Sequence, residues 1–222
     1  MKLISSLYKT VAIFGANGQT GREAVYYSLM GGYKTVGFSR NLDGFGTPNR
    51  VGNINYNNSR LYNYIGDATH ENSVKEFLSI YKPDSVIIAL GGTQVDVATQ
   101  NIVNNVKPKT KISVVSSMGV DDSKHYPPLF FKFLKFTFLG EMFKSKEKQE
   151  KIIKESNLPY SIIRPGGLTN ELPINVITID DLNYKNNSRT YKTPRANVAI
   201  ACLDSFKNNQ NSIINIEQTF KT

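Results

Sequence analysis

The chain has 222 residues, 40% of them hydrophobic and 20% charged, with a net charge of +9 and a single cysteine. That length fits one domain with a sizeable core, and the composition excludes a disordered or fibrous chain. One cysteine and two histidines, His70 and His125, exclude a disulfide framework and leave no metal site to expect. The positive charge is dispersed apart from a lysine-rich run at 144–154. Acidic small molecules, nucleic acid and anionic membrane surfaces all attract such a charge. No zinc-finger or RNP-type pattern accompanies it, so nucleic acid is not expected. No stretch reaches the roughly 18 apolar residues of a membrane span. Met1 to Lys9 is too short for a signal peptide ahead of the first strand, so the expected location is the cytoplasm.

In chain order, Thr10-Val-Ala-Ile-Phe14 reads as a buried strand ending at Gly15. A helix is predicted over 22–30, stopped by Gly31 and Gly32. Residues 34–39 read as a second strand. Residues 41–60, polar and rich in Gly and Asn, read as a loop of about 20 residues, a lid or an insertion. A third strand follows over 60–65. Residues 71–81 carry Val74, Phe77, Leu78 and Tyr81 on one helical face. The fourth strand spans 85–90, a helix 97–106 and the fifth strand 111–116. Residues 129–155 read as helix in two pieces, 160–163 as the sixth strand, 195–206 as a helix and 213–216 as the last strand. Cys202 lies in the apolar run 198–203, where a buried thiol is expected. Apolar strands alternating with helices imply a parallel sheet covered on both faces. The expectation is one α/β domain over 1–222, doubly wound, with a small C-terminal lobe at 168–195.

Gly15, Gly18 and Gly21 stand between the first strand and the first helix. Glycine permits a tight turn there and lets backbone approach a pyrophosphate, while the helix N-terminus offers unpaired N–H groups to it. This points to a Rossmann-type dinucleotide site. Its expected contacts in the turn are Gly15, Asn17, Gly18, Gln19, Thr20 and Gly21. At the end of the second strand an acidic residue would bind the ribose 2′-hydroxyl of NAD. This chain has Ser39 and Arg40 instead. Arginine suits a 2′-phosphate, so NADP is favoured over NAD. Asp67, with Ala68 beside it, is a candidate acceptor for the adenine amino group, or a loop cap. Leu90, Gly91 and Gly92 after the fourth strand would let the cofactor pass close to backbone. Ser116 and Ser117 end the fifth strand beside the expected nicotinamide, or cap a loop.

These residues carry a resemblance. Val11-Ala-Ile-Phe-Gly-Ala-Asn-Gly-Gln-Thr-Gly21, Gly66-Asp67, Val114-Val-Ser-Ser-Met-Gly119 and Leu158-Pro-Tyr-Ser-Ile-Ile-Arg-Pro-Gly-Gly-Leu168 resemble the atypical short-chain dehydrogenases/reductases. That group includes NmrA-like and biliverdin reductase B-like proteins. The likeness runs from about 10 to 206. It implies that Arg40 meets the 2′-phosphate and that Pro165-Gly166 lies against the nicotinamide. Relatives with a Tyr-x-x-x-Lys pair use the lysine to lower the tyrosine pKa for proton transfer. Counted back from Arg164-Pro165, that lysine falls at Lys146 and the tyrosine at Met142, which cannot transfer a proton. Lys146 is then a candidate for the ribose hydroxyls; otherwise it is a solvated lysine, or pairs with Glu150 across one helical turn. Asn197 replaces an aspartate common in relatives, a structural change.

Leu129-Phe-Phe-Lys-Phe-Leu-Lys-Phe-Thr-Phe-Leu139 is aromatic with interleaved lysines. It reads as helix packing on the sheet edge, one wall of a flat aromatic substrate pocket, or a peripheral membrane or protein contact. The expected function is an NADPH-dependent oxidoreductase acting on a flat aromatic acceptor of flavin or quinone type, with Ser117 and Lys146 as candidate catalytic residues. Such acceptors take a proton from solvent, so no catalytic tyrosine is needed. The alternative is a non-catalytic NADP(H)-binding redox sensor or assembly protein of the NmrA-like kind. A nucleotide-sugar epimerase is poorly supported without the tyrosine.

Overall fold

The computed structural model describes residues 9–42, 59–125, 140–174, 176–179, 191–208 and 210–218. Most of the predicted 41–60 loop and all of the 129–139 stretch lie outside them.

The strands are β1 (Thr10–Phe14), β2 (Lys34–Ser39), β3 (Leu61–Ile65), β4 (Ser85–Ile88), β5 (Lys111–Val115), β6 (Tyr160–Pro165), β7 (Gly167–Thr169), β8 (Val176–Ile179), β9 (Lys192–Pro194) and β10 (Ser212–Gln218). The helices are α1 (Gln19–Met30), α2 (Glu71–Tyr81), α3 (Val95–Asn105), α4 (Gly140–Glu155) and α5 (Arg195–Ser205). The main sheet has the order β3-β2-β1-β4-β5-β6-β10-β8. Every neighbouring pair in it is parallel except β10 with β8. This is the Rossmann-like, doubly wound α/β fold that the alternating pattern implies.

The central strands are apolar on both faces because both faces are covered. Alternation sends Ala12 and Phe14 of β1 to one side, with Val86 and Ile88 of β4. Val11 and Ile13 go to the other side, with Ile87. The first side packs under Val74 and Phe77 of α2, Ile102 of α3 and Ile153 of α4. The second packs under Ala24, Val25 and Leu29 of α1 and Val198, Ala199 and Cys202 of α5. Burial pushes the Cys202 thiol up to about 12, which keeps it protonated and inert.

Several boundaries differ from the sequence reading. Helix α1 begins at Gln19 and not at Arg22, because Gly18 is still extended (φ −70°, ψ 161°) and the chain coils directly after it. Gly21 therefore sits inside the first turn. Helix α2 ends on Lys82 in the left-handed region (φ 45°), whose N–H returns to the Leu78 carbonyl, one residue before Pro83. The described part of 168–195 supplies β8 to the main sheet and a small ribbon of β7 with β9. These strands have three or four residues each, too short to show a period in sequence. Asn197 ties this region to α5: Oδ1 accepts from the Ile174 N–H at 3.1 Å and Nδ2 donates to the Ile174 carbonyl at 2.7 Å. An aspartate could make only the first bond.

Candidate functional site

The C-terminal ends of the parallel strands open into two adjoining recesses. Strand order reverses at β1 and β4, the position where open α/β sheets part and ligands enter. The first recess, about 520 Å³, lies over β1–β4. The second, about 390 Å³, lies over β4–β6. Gly18, Ala89, Leu90 and Gly91 line both.

The glycine turn joins them. Gly15 has φ +81°, and a Cβ there would lie 2.6 Å from the Ala89 carbonyl oxygen. A Cβ on Gly21 would lie 2.0 Å from the Gly15 carbonyl oxygen. Gly21 is thus the contact between α1 and the turn. It lines neither recess, and the structure gives this predicted contact a packing role. Helix α1 has no side-chain cap and no acidic residue in its first turn, so no side chain of that turn neutralises its leading N–H groups at the junction. Around Gly91 and Gly92 no atom of a described residue beyond the chain neighbours lies within 4 Å of a notional Cβ. An uncapped helix start, a cradle that a Cβ would fill and an open glycine floor all fit a dinucleotide.

Gly15, Asn17, Ser39, Arg40, Asp67, Ala68 and Gly92 line the first recess. Arg40 is exposed on its rim and has no hydrogen bond or ion pair among the described residues. Ser39 is buried, and its hydroxyl donates to the Asn41 carbonyl at 2.5 Å. Asn17 donates to the Asn41 side chain. Arg22 Nε donates to the Asn17 carbonyl at 3.0 Å, which holds the turn to α1. Asp67 caps its own loop: Oδ1 accepts from the Thr69 N–H at 2.9 Å and hydroxyl at 2.8 Å. The Thr69 backbone bond and then its hydroxyl hold that carboxyl below its ordinary range.

Gln19, Thr20, Ser116, Ser117, Lys146, Pro165 and Gly166 line the second recess, beside Met142. Lys146 is buried, and its ammonium donates to the Val115 carbonyl at 2.5 Å, the Leu90 carbonyl at 3.0 Å and Gln149 Oε1 at 3.0 Å. These bonds use all the donors an ammonium has. Burial pulls its pKa down to about 8, against the field of Glu150. Lys146 is therefore neither a solvated lysine nor the helical partner of Glu150; it fastens the ends of β4 and β5 to α4. Gln149 extends the bond to Thr99 of α3 at 2.8 Å.

Glu150 is held by Arg164 instead. Arg164 Nε donates to Oε1 at 2.9 Å and Nη2 to Oε2 at 2.6 Å, and both side chains are buried. Arg164 also donates to Asp122, and the Ser116 hydroxyl donates to Glu150 Oε1 at 2.5 Å. A bidentate buried pair of this kind needs every remaining lone pair met, and Ser116 meets one. The Ser117 hydroxyl donates to the Met118 carbonyl at 3.0 Å.

The sequence reading did not assign to the site Phe38, Asn41, Gly66, Thr69, Thr93, Gln94, Val95 and Ala98 in the first recess, Ala89 in both, or Val115, Phe143, Leu168 and Arg195 in the second. Most follow a predicted strand end, which was the available signal. Arg195 had none, because the return of the chain through β9 carries it there.

The NAD(P)H-binding family profile matches residues 15–209. Among curated proteins no significant match is found. Among solved structures, the chain is similar to ChuY, an anaerobilin reductase from Escherichia coli O157:H7, at 22% identity over 96% of this chain and 100% of that one, TM-score 0.74. It is similar to a wide-type short-chain dehydrogenase/reductase from Veillonella parvula in complex with NADP, at 18% identity over 96% and 95%, TM-score 0.73. A Rossmann-fold NAD(P)-binding protein from Shigella flexneri matches at 21% identity over 96% and 97%, TM-score 0.65. With the matched residues running from the glycine turn through α5, the chain belongs to the NAD(P)H-binding family and has the short-chain dehydrogenase/reductase-like Rossmann fold.

Proposed function

We propose that the chain is an NADPH-dependent reductase of flat conjugated acceptors, of flavin, quinone or linear tetrapyrrole type. The observation that carries this reading is the second recess: Val115, Met142, Phe143, Pro165 and Leu168 give it apolar walls, beside the turn suited to a dinucleotide. The adenosine end of the cofactor is assigned to the first recess, where Arg40 would meet the 2′-phosphate, and the nicotinamide to the second. A bound reduced nicotinamide supplies the hydride. The chain's own part is orientation and exclusion of water. Met142 offers no proton, so the acceptor must tolerate protonation from solvent, as flavins, quinones and bilins do. Lys146 and Ser116 hold the strand ends that shape the recess. Ser117 lines the recess with its proton given to the Met118 carbonyl, so it has only acceptor lone pairs left to offer. The NADP-bound Veillonella neighbour and the reductase neighbour are consistent with this assignment.

Met142 favours a second reading, a non-catalytic NADP(H) sensor. One experiment separates the two. The chain is titrated with NADPH and NADH, and NADPH oxidation is then followed with FMN, menadione and biliverdin. Turnover with any of the three supports the reductase. Tight NADPH binding with no turnover supports the sensor, and binding of neither nucleotide defeats both.

A further inference from the structure

We propose that Arg195 anchors an acidic group, carboxylate or phosphate, on the acceptor, so that the molecule reduced is a flat anion. This deepens the reductase reading and rests on its assignment of the second recess.

Arg195 opens α5 and lines the second recess. It is not among the residues shared by the two recesses, the junction at which the glycine turn would take the pyrophosphate. Arg195 is half-buried, and among the described residues its guanidinium makes one hydrogen bond, Nη1 to Asn170 Oδ1 at 2.7 Å. No carboxylate of a described residue lies within ion-pair distance of it. Burial pulls its pKa below the ordinary arginine value, with the field of Glu23 opposing. A guanidinium has five N–H donors, so a partly desolvated one with a single neutral acceptor is short of partners.

The surroundings sharpen the inference. Among the described residues no Asp or Glu lines this recess. Its other cation, Lys146, has spent its donors on Leu90, Val115 and Gln149. Among the described residues that line it, Arg195 is thus the cation with donors left to offer. Asn170 follows β7, whose Leu168 also lines the recess, and fixes one end of the guanidinium. The remaining edge suits a planar, two-oxygen acceptor.

The test compares the native chain with Arg195→Gln and Arg195→Lys, all loaded with NADP+. Binding of FMN against riboflavin is read by flavin fluorescence, and of biliverdin against its dimethyl ester by absorbance. The flavin pair reports a phosphate and the bilin pair a carboxylate. In at least one pair the native chain should bind the acidic member about 10- to 100-fold more tightly. Arg195→Gln should erase that preference, Arg195→Lys should keep part of it, and NADPH affinity should stay within about twofold. Absence of a preference in the native chain, or its survival in Arg195→Gln, overturns the proposal. A tenfold or greater loss of NADPH affinity in Arg195→Gln, on the order of one charged hydrogen bond, also overturns it and moves Arg195 to a cofactor phosphate. Because binding is read without turnover, an acid preference in a chain that oxidises no NADPH would sink the reductase reading and leave the anchor standing.

Discussion

The two recesses are built at the ends of the same sheet but spend their polar groups differently. In the first, Arg40 stands exposed on the rim without a partner among the described residues, and Asp67 uses a single oxygen on its own loop. In the second, Lys146 and Ser116 line the space yet point their hydrogens into the protein, at strand carbonyls and at Glu150. A charged residue in a cleft is therefore not by position a ligand contact. Its hydrogen-bond balance decides whether it holds the wall or faces the guest.

Substitutions can break this contrast, and the largest effect belongs to the fastened side. Arg164→Met leaves Glu150 buried with Ser116 and the more distant Lys154. It should cost about 3–5 kcal/mol of stability in urea denaturation. Adding Glu150→Met should restore much of that, since two apolar groups avoid the orphaned charge. A loss under about 1 kcal/mol for Arg164→Met would mean that the pair is wet.

The glycines offer a cleaner contrast. Gly21→Ala forces a Cβ against the Gly15 carbonyl and should cost about 1–3 kcal/mol. Gly91→Ala enters open space, so stability should stay within about 0.5 kcal/mol while NADPH binding weakens. Undiminished NADPH affinity in Gly91→Ala would move the proposed cofactor path away from that floor. On the open side, Arg40→Glu should weaken NADPH about 10- to 100-fold and NADH about twofold or less. Equal losses for both nucleotides would remove the 2′-phosphate from Arg40.

The last test is a pH dependence. Burial lowers the Lys146 pKa to about 8, against 10.5 for a solvated lysine. Between those values the unfolded chain holds more protons, so this residue makes stability rise with pH through that window. Stability curves of the native chain and Lys146→Met should therefore diverge progressively above pH 8. Parallel curves would mean that the ammonium titrates as if solvated.

The residues alone were enough for the alternation of strand and helix, because a parallel sheet buried on both faces demands apolar runs such as Val11–Phe14 and Val86–Ile88. They were enough for the turn at Gly15–Gly21 as well, since backbone crowding there admits little but glycine. The tertiary structure decided what local pattern cannot encode. Strands β7, β8 and β9 exist through pairing with distant partners, and three or four residues carry no period of their own. Lys146 and Glu150 sit one turn apart on α4, and a helix-surface rule pairs them. Burial of that face instead sends the lysine to β4 and β5 and the glutamate to Arg164 on β6. Arg195 reaches the second recess only because the chain comes back along β9. For Lys146, Glu150 and Arg195 the physical reason is the same: a charged group takes the partner that desolvation leaves within reach, and reach, like strand pairing, is a property of the folded chain.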